Sequence, residues 1–228
     1  MSQATNCMIT CPCGMVFQSK FYEYVNTRQD PQLRYTVLAG LLNVSTCPNC
    51  GRRSTHTGHF IYSDPSHDLL IYVDPTPDIS EDARRDTLEK LLSVRQKVGI
   101  EVSYRSPLDE KLRTGVASPG RARMNLAPTD GMQSRKEAPP LHVVFGLEQL
   151  RELINAALIQ QERLGRLALR TFSRREAERG QLLDIARKFA SEMHCQVNVE
   201  VVSGEYTVWL YGSRRQIGAI MRELTPQG

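Results

Sequence analysis

Two short cysteine pairs, each closed by glycine, carry the residues of this chain best suited to chemistry: Cys11-Pro12-Cys13-Gly14 and Cys47-Pro48-Asn49-Cys50-Gly51. Each has the form of a knuckle, a tight turn that aims two thiolates at one ion, and proline and glycine suit so sharp a turn. Four thiolates around one Zn²⁺ make a closed tetrahedral site, which builds structure and leaves no open position for water. Filling such a site stabilises a small domain by on the order of 10 kcal/mol. Cys11, Cys13, Cys47 and Cys50 are therefore the expected ligands of a structural zinc ion. The first pair has a single residue between its cysteines, a narrower bite than the usual two-residue gap. Cys7, four positions before Cys11, is an alternative ligand that would replace either thiol of that pair.

Other side chains invite a functional reading and are weighed against a plainer one. His56 and His59 follow the second knuckle, with Asp64, His67 and Asp68 beyond them. A metal-dependent hydrolase would draw its base from His56, His59 or Asp64, but histidines beside a knuckle are more often surface residues. Cys195 stands alone before a strand and suits a small core position. Arg163, Arg166, Arg170 and Arg174, with Arg175, recur at intervals that place most of them on one helix face, a surface for phosphates or an acidic partner. A solvated face tempered by Glu162, Glu176 and Glu178 is the plainer reading. Trp209 and Tyr211 share one side of a strand, with packing against the last helix as the default. No phosphate-cradling glycine loop, paired-histidine motif or nucleophile elbow is present, and no catalytic constellation emerges.

The elements that would position these residues make an α+β chain. Residues 1–75 read as compact and mostly β: a strand over 15–25, a short helix begun by Asp30-Pro31 with Leu33, Val37 and Leu41 on one face, and two strands over 59–63 and 68–73. Pro75 and Pro77 end that run. Ser80 with Glu81 and Asp82 opens a helix to about residue 98. From 104 to 140 Gly, Pro, Ser, Arg and Lys dominate, which predicts a flexible basic linker. A strand follows over 141–145, then a helix from 147 to about 171. The capping-box pattern Ser173-Arg174-Arg175-Glu176 starts another helix. Val197, Val199 and Val201 then alternate with polar residues, Ser203-Gly204 turns, 206–211 forms a second strand, and Ile217 to Leu224 a last helix. The expected division is a zinc-ribbon-like β domain with its following helix over 1–103, the linker over 104–140, and a helix–hairpin–helix domain over 141–228.

The 228 residues carry a formal net charge of only +4. That is well short of a strong nucleic-acid footprint. Two close cysteine pairs fit reduced cytosolic thiols better than a secreted disulfide framework. No apolar run is long enough to span a bilayer and no signal-peptide pattern opens the chain.

Thr10-Cys11-Pro12-Cys13-Gly14, Val25-Asn26, Asp30-Pro31-Gln32-Leu33-Arg34, Leu42-Asn43-Val44, Thr46-Cys47-Pro48-Asn49-Cys50-Gly51, Tyr62-Ser63-Asp64-Pro65 and Leu69-Leu70-Ile71-Tyr72 together resemble the bacterial CpXC domain family over about residues 7–75. Val143-Val144-Phe145-Gly146 resembles a segment further downstream in such proteins. The resemblance implies a metal-binding cysteine cluster and supplies no catalytic residues. The expected function is a non-enzymatic, cytoplasmic zinc-binding adaptor or regulatory protein acting through protein contacts, a second copy of the chain among the partners. The alternative is a nucleic-acid-binding regulator, motivated by the zinc knuckles and the basic linker, and by some likeness of the unit from Ser173 onward to the second half of a KH-type fold, although it lacks the Gly-x-x-Gly loop.

Overall fold

The computed structural model describes residues 1–76, 80–98, 102–104, 140–202 and 204–225. Of the expected linker, 105–139 lie outside the described residues, as do Pro77 and Ser203. The chain forms eleven described strands in three sheets, with five α-helices. No described helix is long and apolar enough to cross a membrane.

The largest sheet has six strands. β1 (Gln3–Thr10) and β2 (Val16–Asn26) make an antiparallel hairpin. β2 then pairs in parallel with β5 (Phe60–Asp64), which returns through a single 3₁₀ turn as antiparallel β6 (Leu69–Asp74). β6 pairs in parallel with β8 (Leu141–Phe145), and β7 (Val102–Tyr104) closes the far side. Between β2 and β5 the chain makes α1 (Gln32–Leu38) and the small hairpin β3 (Val44–Thr46) and β4 (Arg53–Thr55). α2 (Glu81–Val98) leads from β6 to β7 and takes its first-turn cap from Ser80, whose hydroxyl accepts from the Ala83 N–H. α3 (Leu147–Ala157) follows β8 directly.

Alternation along β5 and β6 sends Phe60, Tyr62, Ile71 and Val73 into one core, where Leu150 and Ile154 of α3 and Leu33 and Val37 of α1 meet them. The buried side chains of α1 run from Leu33 through Leu38 without a polar face turned to water. Arg34 is part of that buried run. Its guanidinium clasps Asp64 through two 2.9 Å bonds, and Asp64 is wholly buried. His67 bonds Asp64 at 3.1 Å with one ring nitrogen and Glu162 at 3.1 Å with the other. A buried cation is kept by pairing, and this chain of charges supplies it.

The second core lies beneath the antiparallel sheet β10–β11–β9, formed by β9 (Leu164–Thr171), β10 (Gln196–Val202) and β11 (Glu205–Ser213). α4 (Glu176–Met193) and α5 (Arg214–Leu224) cover one face. Ala186, Phe189, Val208, Leu210, Ile217 and Ile220 form its centre. The opposite face meets α1: the Thr36 hydroxyl donates to Gln196, and Tyr211 packs against the first core.

Several expectations are corrected. The helix expected from 147 to 171 ends at Ala157, and Leu164–Thr171 is a strand. Leu167 and Leu169 point into the second core, a two-residue period that the arginine spacing masks. Arg163, Arg166, Arg170 and Arg174 therefore share no helix face: Arg166 and Arg170 lie on β9, and the other two flank it. The Ser173 capping box does not form, since α4 begins at Glu176 and Ser173 accepts from the Arg175 N–H. Asp30 does not cap α1 with its side chain, which accepts instead from the Ser2 N–H. Trp209 and Tyr211 stand on the face of β11 turned away from α5.

Candidate metal centre

The two knuckles are the tips of the two hairpins. In the first, the Cys11 N–H donates to Met15 and the Gly14 N–H to Cys11, both at 2.8 Å. In the second, the Cys47 N–H donates to Arg52 and the Gly51 N–H to Cys47, both at 2.9 Å. Gly14 (φ +86°) and Gly51 (φ +69°) take left-handed backbone that side-chain-bearing residues rarely adopt, which explains a glycine after each pair. The first loop is one residue shorter between its strands, matching its shorter cysteine gap.

The tips face one another. Cys11 Sγ lies 3.5 Å from Cys50 Sγ, Cys13 Sγ lies 3.6 Å from Cys47 Sγ, and all four sulfurs fall within 4.8 Å of each other. Metal–sulfur bonds of about 2.3 Å in a tetrahedron place the sulfurs about 3.8 Å apart. The two contacts between the tips lie close to that spacing, and the four thiols could hold one metal ion, the narrow bite of the first pair notwithstanding. Cys7 is not one of the four; it lies within β1 opposite Ser19.

The thiols share their protons unevenly. The Met15 N–H and the Cys11 thiol stabilise negative charge on Cys13 and bring it down to about 6. At Cys11 the Cys13 N–H acts downward, but burial and bonds to the Cys13, Cys50 and Cys47 thiols outweigh it and push the group up to about 12. Negative charge enters the cluster readily at one sulfur and reluctantly at the next. A cation removes that conflict by pairing with all four thiolates. Asn49 adds a donor to the Cys13 sulfur at 3.7 Å.

Polar contacts seat the second hairpin on the first. β5 covers the outer edge of β2 only from Tyr24 onward. At Tyr22 the Asn43 side chain takes its place: Oδ1 accepts from the Tyr22 N–H at 2.8 Å and Nδ2 donates to the Tyr22 carbonyl at 3.1 Å. Asn43 is buried with φ +56°, a conformation asparagine tolerates better than most residues. Ser45 on β3 bonds Ser19 on β2, and His56 bonds Ser45 at 3.0 Å. The sequence hints at none of these roles beyond asparagine's left-handed tolerance.

The remaining candidate residues have other company. His56 packs edge-on against Phe21. His59 stacks on Tyr72 and lies 3.5 Å from Asp74. Asp64 belongs to the buried Arg34 network, and Cys195 is a buried core thiol that burial pushes up to about 11. None of them joins the sulfur cluster. On the face of the second sheet that meets α1, the Arg166 and Arg170 guanidinium carbons stand 5.7 and 5.8 Å from the Trp209 ring centroid, and Trp209 donates to Glu200 at 2.9 Å.

No curated protein and no solved structure matches the chain. The family model described as CpXC protein matches residues 9–157, a span holding both knuckles, β2, the second hairpin, β5, β6, β8 and α3. With more than half its length inside that match and four cysteine sulfurs converging as the paired motifs require, this chain belongs to the CpXC family.

Proposed function

We propose that this chain is a non-enzymatic binding module, held in shape by a structural Zn²⁺ on Cys11, Cys13, Cys47 and Cys50, that acts through protein contacts. The closed sulfur set favours zinc and leaves no coordination position for substrate. The observation that carries the contact role is β1. It is an outer strand of the six-stranded sheet, paired on one side with β2 and, among the described residues, on no other. Its sequence, QATNCMIT, holds neither a charge nor a proline, the devices that protect free edges. Met8 is 68% exposed and Val16, beside its end, 50% exposed. Such an edge suits strand addition by a partner, with a second copy of the chain as the first occupant to test.

Sedimentation of the metal-loaded protein over a range of concentrations tests this. Self-association that Met8→Lys abolishes, with the fold retained, is the expected result. A monomer at every concentration, with no co-purifying protein that Met8→Lys releases, would refute the contact role.

A second reading, binding of single-stranded nucleic acid, is favoured by Trp209 between Arg166 and Arg170. An aromatic ring flanked by guanidinium groups is a stacking platform. Quenching of the single tryptophan by an oligonucleotide at physiological salt would support it; quenching that disappears on raising salt to that level would reduce it to unspecific charge.

A further inference from the structure

The turn between α3 and β9 and one side of α5, from its first turn to its last, border an open concavity of about 510 Å³ lined by Gln160, Gln161, Arg214, Arg215, Gly218 and Arg222. Its volume is that of a small-ligand site. Three of six lining residues are arginines and none is acidic. Neighbouring Glu162 is engaged with His67. Among the described residues none of the three guanidinium groups has a carboxylate within 4.0 Å.

The placement of two of them runs against local stability. Arg214 and Arg215 fill the first turn of α5, where the helix dipole disfavours cations, and no acidic residue offsets them there. Arg215, Gly218 and Arg222 follow at intervals of three and four, which aligns them on one face of the helix. Gly218 leaves the space between the two arginines open: a Cβ there would meet only the Arg222 guanidinium, at 3.9 Å. The backbone at this helix end is already satisfied. The Arg214 and Arg215 N–H groups donate to Arg163 and Gln161, and the Gln216 N–H to Ser213. The binding capacity therefore resides in the guanidinium side chains.

We propose that this concavity binds a compact polyanion of the diphosphate class. Guanidinium groups match phosphate oxygens in two-pronged hydrogen bonds, and a bound diphosphate would relieve the repulsion among three cations. Gln160 and Gln161 complete the lining with uncharged residues.

Titration calorimetry of the metal-loaded full chain with inorganic pyrophosphate tests the site. One saturable equivalent is expected. Arg215→Gln and Arg222→Gln should each weaken binding by about tenfold or more, as loss of a charged hydrogen bond does. Gly218→Leu keeps every charge but fills the space, and should abolish binding. Arg187→Gln removes one exposed charge on α4 and should change affinity by less than about twofold, as a remote charge screened by salt does. Absence of saturable binding would overturn the proposal. So would unaltered binding by Gly218→Leu, or an Arg187→Gln effect equal to that of Arg215→Gln.

Discussion

Asn43 is the side chain on which the seating of the second cysteine hairpin should depend most. Its amide stands in for a missing neighbour strand at Tyr22, satisfying one donor and one acceptor of β2. Asn43→Ala removes both bonds and leaves two backbone groups short of partners, at about 1–3 kcal/mol each. Alanine must also hold the left-handed backbone, at a further cost of about 1–2 kcal/mol. The expected loss is about 3–8 kcal/mol, reduced to the extent that water reaches Tyr22. Asn43→Gly removes the same bonds without the backbone strain and should retain about 1 kcal/mol more stability than Asn43→Ala. Urea unfolding of the metal-loaded protein, followed by far-ultraviolet circular dichroism, measures both. Competition with a chelator should show weaker metal retention in both variants, because the hairpin bearing Cys47 and Cys50 is less firmly placed. An Asn43→Ala loss below about 0.5 kcal/mol, the scale of an ordinary surface substitution, would refute the bridging role. Equal stability of the alanine and glycine variants would refute the strain component.

Asp64→Ala strands the buried Arg34 cation and should cost about 3–5 kcal/mol in urea unfolding, while Arg34→Met with Asp64→Leu should recover much of it. A double variant as unstable as the single one would contradict that. Cys195, held protonated up to about 11 by burial, should resist alkylation in the folded protein at pH 8 and react once urea unfolds it. The unfolded chain releases that proton first, so this thiol's contribution to stability is full below about pH 9 and declines as pH rises toward 11. Rapid native alkylation of Cys195 would show that the second core is open there.

Different parts of this molecule were legible to different degrees. The cysteine pairs announce themselves because each pair of ligands is local and each glycine answers a local demand. β5, β6, β8 and α2 were legible for the same reason, through alternation, caps and prolines close in sequence. β9 was not: Arg163, Arg166 and Arg170 imitate a helix face, and only pairing with β11 favours the extended form of Leu167 and Leu169. β1 has no buried face of its own to reveal it, since its order comes from β2. The roles of Asn43, of Ser19 with Ser45, and of Glu162 with His67 depend on partners 21 to 95 positions away, which no local pattern encodes. The capping box that forms, Ser213 with Gln216, has the same local pattern as Ser173 with Glu176, which does not form one.

Metal content of the purified chain, with cobalt substituted for the native ion, bears most directly on the cysteine centre. One ion per chain is expected, with the absorption of cobalt in a tetrahedral four-sulfur site, lost on Cys47→Ser together with the native circular dichroism of the first half. Purified protein without bound metal, whose unfolding midpoint a chelator leaves unchanged, would contradict it.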